Sequence, residues 1–83
     1  MTLVELLAEF GGVMLVARRS EACLAAALMS FPGGRRALVI ERTYRVGIRL
    51  IMNPTSDETA VLDAGDLWEL WNSERAELLD GAV

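Results

Sequence analysis

The chain predicts a small α+β domain: an antiparallel sheet of three or four strands, two or three helices packed mainly on one face, and a C-terminal amphipathic helix. Three observations carry this. Apolar and polar residues alternate from Leu38 to Met52, a helix-spaced apolar stripe runs through residues 66–80, and the helix signals lie before and after the strand signals. Eighty-three residues make a single domain, 1–83, near the size at which one core is only just sufficient.

From the N-terminus, Thr2 with Glu5 three places on is a capping-box signature. Leu3, Leu6, Leu7 and Phe10 fall at helical spacing, and Gly11-Gly12 supplies a stop. "VMLVA", residues 13–17, reads as a buried strand. Residues 20–31, "SEACLAAALMSF", favour a helix on their alanine and leucine content, with a strand paired back on 13–18 as the rival. "PGG" at 32–34 is a turn.

In the alternating stretch the even positions from Leu38 to Met52 are apolar except Arg42, and the odd ones carry most of the polar side chains. Its length calls for a hairpin near 42–45 or a bend at Gly47. A three-residue loop would keep even positions opposite even ones and so preserve a single apolar face. "NPTSDE", 53–58, reads as a polar loop and "TAVL" as a short strand, with Asp63 or Asp66 free to cap the last helix.

On a helix over 66–80, Leu67, Leu70, Trp71 and Leu78 share one face, with Trp68 and Leu79 on its shoulder. Asp66, Glu69, Glu77 and Asp80 gather opposite. Glu74 points among the apolar residues, which predicts an ion pair with an arginine of the 35–49 segment, Arg42 being favoured as the one charge on the apolar strand face.

Composition narrows the function. Hydrophobic residues are 53% of the chain before its seven glycines are added; typical soluble domains reach about 45–50% with glycine included. A domain this small should need less, so the excess predicts apolar surface buried against another chain. There is no histidine, so the commonest general base and transition-metal ligand are missing. Ser20, Ser30, Ser56 and Ser73 therefore lack a histidine partner, and the single Cys23 reads as a buried inert thiol. Asp57, Glu58, Asp63 and Asp66 lack the EF-hand spacing, and "FPGGRR" lacks the spacing and Lys-Ser/Thr of a P-loop. No catalysis, metal or cofactor is expected. With neither a signal-peptide pattern nor a membrane-length apolar run, the expected setting is cytoplasmic.

The net charge of −4 conceals a division. Residues 35–49 hold five arginines against one glutamate, whereas 57–80 hold eight acids against Arg75. Every cation is an arginine. Arg45 and Arg49 on one strand face, with Arg35 and Arg36 upstream, make a nucleic-acid binder the third reading, weakened by the acidic total and by the lack of aromatic residues on that face. A row of carboxylates along about 21 Å of helix suits a groove built for phosphates better. The first expectation is therefore a protein-binding inhibitor or regulator that docks on a basic nucleic-acid-binding complex through Asp66, Glu69, Glu77 and Asp80, with Trp68 as anchor. Small phage and mobile-element inhibitors, anti-CRISPR proteins among them, are often of this size and acidity, although no residue pattern here identifies a family. The alternative is a structural or regulatory subunit that forms a homodimer. No membrane partner is expected.

Overall fold

The computed structural model describes residues 7–21, 23–42 and 47–79. After a helical turn at residues 7–9 come β1 (Val13–Arg19), β2 (Leu24–Ser30), β3 (Arg36–Arg42), β4 (Ile48–Met52), α1 (Ser56–Ala64), α2 (Leu67–Trp71) and β5 (Glu77–Leu78). The strands form one antiparallel sheet in the order β1-β2-β3-β4-β5, so the domain is α+β overall. The sheet has five strands rather than three or four. The start of the helix expected from Thr2 lies outside the described residues; the turn at residues 7–9 is stopped by Gly11 with φ +79°.

Residues 24–30 form a strand and not the helix their composition favours. Helix propensity is a weak prior of at most about 0.7 kcal/mol per ordinary residue, and β2 has neighbours on both sides to repay it. Its alanines suit a central position between β1 and β3. Cys23 sits half-buried in the turn before it, at φ +66°, and not in the core.

The β3–β4 register corrects the expected single apolar face. Leu38 lies opposite Ile51 and Val39 opposite Leu50, so even positions face odd ones. The hairpin closes with Arg42 N–H donating to Gly47 O at 3.0 Å; residues 43–46 lie outside the described residues. This register is tolerated because the centre of the sheet is covered on both faces. Ala37, Leu38, Val39 and Ile40 are consecutive and all buried. On one face Leu24, Leu38, Ile40 and Ile51 pack with Leu62 of α1 and Leu67 and Leu70 of α2. On the other, Met29, Val39 and Ile48 are covered by Leu7, Phe31, Leu50 and Leu79.

"TAVL" belongs to α1 and not to a strand. Thr55 accepts from Glu58 N–H at 3.2 Å while Glu58 accepts from Thr55 N–H at 2.8 Å, a reciprocal capping box. Gly65, at φ +78°, ends the helix.

The expected amphipathic helix over 66–80 is also replaced. Asp66 caps α2 by accepting from Glu69 N–H at 3.3 Å, but the helix stops after Trp71. The chain turns through Asn72 and Ser73, buries Ala76, and returns as β5 against β4, with Leu79 N–H donating to Ile48 O at 2.9 Å. Continuing the helix would leave the outer edge of β4 without backbone partners, which β5 supplies at least in part. Among the described residues, no helix is long and apolar enough to cross a membrane.

Candidate interaction surface

The predicted acidic row is dispersed by this fold. Asp66 is the cap of α2 and Glu69 lies in its first turn, both exposed; Glu77 is on β5, on a different element, and Asp80 lies outside the described residues. Trp68 is 40% exposed on α2. Four carboxylates in file along one helix are therefore not formed.

The Glu74–Arg42 ion pair is likewise replaced. Glu74 is exposed in the turn after α2, because the helical premise that aimed it inward does not hold. Arg42 lies instead over the Trp71 ring, its guanidinium carbon 5.4 Å from the centroid, and Arg49 approaches the same ring at 5.4 Å while donating to Trp71 O at 2.5 Å. Each such stacking contributes about 0.5–1 kcal/mol at exposed sites and more when desolvated. Gly47 makes room for the ring, since a Cβ there would sit 3.3 Å from Trp71 Cη2. The cluster pins α2 to the β3–β4 hairpin where Arg42 and Gly47 close it. It also occupies Arg49, one of the arginines of the expected basic face. Arg35 is in the turn before β3, Arg36 opens that strand, both exposed, and Arg45 lies outside the described residues.

The ion pairs among the described residues are Arg75–Glu58 and Arg18–Asp63. Arg75 also donates to Met52 O at 2.7 Å, tying the turn after α2 to the end of β4. Arg18 and Asp63 are 3.8 Å apart and both well exposed, so the pair adds little stability. Among the described residues, no three side chains of metal-binding type converge.

What the fold leaves uncovered is apolar. Strand β1 was expected to be buried, yet six of its seven residues are exposed and only Val16 is half-buried. The helices cover β2 to β4, while β1 lies at the margin of the sheet. Val13 is 62%, Met14 49% and Leu15 51% exposed, and Phe10, just upstream, is 69% exposed. Beside them an open cavity of about 350 Å³ is lined by Leu7, Phe10, Phe31, Pro32, Arg35, Ala37, Leu50 and Met52.

Among the described residues, the backbone of β1 also has no strand partner on its outer side. Ser20 N–H donates to Leu24 O at 2.7 Å, and strand alternation then turns Arg18 and Val16 toward β2 and the N–H and C=O groups of Ala17 and Arg19 outward. A bulge between Met14 and Val16 leaves Leu15 without a partner in β2. The opposite margin of the sheet differs, since β5 is only two residues long, a common way of blunting an edge. The sequence places this strand correctly but not its exposure, because an apolar run looks the same whether covered or not; the adjoining Arg18 and Arg19 are the signal of an exposed end. Comparison with known protein families, with curated proteins and with solved structures returns no match.

Proposed function

We propose that this chain is a protein-binding domain without chemistry of its own, a structural or regulatory subunit that acts by associating with a copy of itself. The observation that carries the reading is β1: a seven-residue edge strand with six exposed residues, three of them large and apolar, beside an equally exposed Phe10. Exposed apolar surface joined to unpaired strand backbone is a combination that soluble domains usually avoid or cover. The apolar excess in the composition has the same explanation. The rival inhibitor reading relied on a row of carboxylates along one helix, and Glu77 now stands on a separate strand. Sedimentation equilibrium across a wide concentration range tests the proposal. The expected outcome is a mass approaching twice the 9.1 kDa of one chain as concentration rises. A monomer at every concentration, without precipitation, refutes it.

A further inference from the structure

Resting on that self-association, we infer that two copies join by antiparallel pairing of their β1 strands about a two-fold axis through Val16, which makes one continuous ten-stranded sheet from two five-stranded ones. The argument begins with charge. The strand is apolar from Val13 to Ala17 and ends in Arg18 and Arg19. Parallel pairing in register would set arginine on arginine about 4.8 Å apart. Antiparallel pairing sends the arginines to opposite ends, so the strand complements itself under two-fold symmetry.

The bulge then selects the register. Counted as a single sheet position, Met14 and Leu15 make the strand from Val13 to Arg18 symmetric about Val16, with two positions on either side. Val16 faces its own copy, Ala17 faces the bulge of the partner strand, and Val13 faces Arg18. Val13 pairs with Ser30 and Arg18 with Ala26 within the chain, which places both side chains on the helix-bearing face, as opposed residues in one sheet must be. The two Arg18 side chains are then four positions apart, about 14 Å, beyond the screening length at physiological salt. Centring the pair one residue later, on Ala17, would bring them to about 7 Å. In the chosen register the outward N–H and C=O groups of Ala17 meet the outward backbone of the partner strand.

Cross-linking tests both the surface and the register. In a Cys23→Ser background, the double variant Val13→Cys/Arg18→Cys should oxidise to a covalent dimer that runs at twice 9.1 kDa without reductant. Each single variant should stay monomeric on the same gel, because its cysteine lies about 14 Å from its copy, whereas a disulfide needs Cα atoms within about 7 Å. Efficient cross-linking of either single variant means parallel or shifted pairing and overturns the register. A non-covalent dimer by sedimentation whose double variant does not cross-link overturns the β1 assignment while leaving self-association standing. A parent chain that is monomeric throughout overturns both.

Discussion

Replacing Leu15 by glutamate should separate association from folding. Leu15 has no partner in β2 and is 51% exposed, so about half of its side-chain area remains to be covered by a second chain. Full burial of a leucine is worth about 1.5–3 kcal/mol, so the remaining half contributes roughly 1 kcal/mol per copy and roughly 2 kcal/mol per dimer. Losing that alone weakens the dimer about 30-fold. Two carboxylates beside the contact must also be desolvated or turned away, which raises the loss toward 1,000-fold. The folded monomer should scarcely notice, since substitutions at exposed, unpaired positions usually shift stability by about 0.5 kcal/mol. Sedimentation velocity gives the dissociation constant, and urea denaturation at concentrations below it gives the stability of the monomer. A dissociation constant within threefold of the parent value would show that the dimer does not use this strand. A monomer destabilised by several kcal/mol would show that Leu15 serves the fold instead.

Two further outcomes check the core and its caps. Leu38→Ala, at a fully buried position in the central strand, should cost about 2–5 kcal/mol in urea denaturation followed by circular dichroism; a loss below 1 kcal/mol would contradict the two-sided packing of β3. Thr55→Ala should cost about 1 kcal/mol, while Thr55→Ser should retain most of the capping box; equal losses in the two variants would show that the hydroxyl does not cap α1.

Much of the sheet was legible in the residues. The Leu38–Met52 alternation announced extended chain that either turns as a hairpin or bends at Gly47, of which the hairpin is formed, and "PGG" announced the turn before it. The face assignment failed because alternation fixes sidedness only within a strand; four intervening residues, not three, shift one strand against the other. Helix and strand were confused in two places for different reasons. In residues 24–30 the sheet overrode the alanine propensity. In residues 66–80 a helical stripe of leucines and tryptophans fitted equally well a short helix, a turn and a returning strand, since Leu67, Leu70 and Trp71 alone meet the core from α2. The capping box at Thr55 and Glu58 stands inside "NPTSDE", whose turn-forming composition reads as a loop, and the β-prone "TAVL" that follows conceals the helix it starts. The Arg42–Trp71–Arg49 cluster joins residues 22 to 29 positions apart, a distance over which no local pattern speaks. For the candidate surface, apolar content pointed to a contact, but only the strand order shows which apolar run stays at the rim.

The return of the chain from β4 to β5 bears on how the domain assembles. Strands β1 to β4 follow one another as neighbours, so each pairing closes only a short loop and the ladder can zip from hairpin to hairpin. Strand β5 is different: about 24 residues, including both helices, separate it from Met52. Closing a loop of that length costs on the order of 3 kcal/mol, more than a two-residue ladder repays. The ladder alone therefore does not hold the last strand; the docked helices, the packing of Leu79 and the bonds of Arg75 supply the rest. That strand acts as a latch on the helical layer, and Arg75, bonded to Glu58 and to Met52 O, is the catch that brings its approach into line.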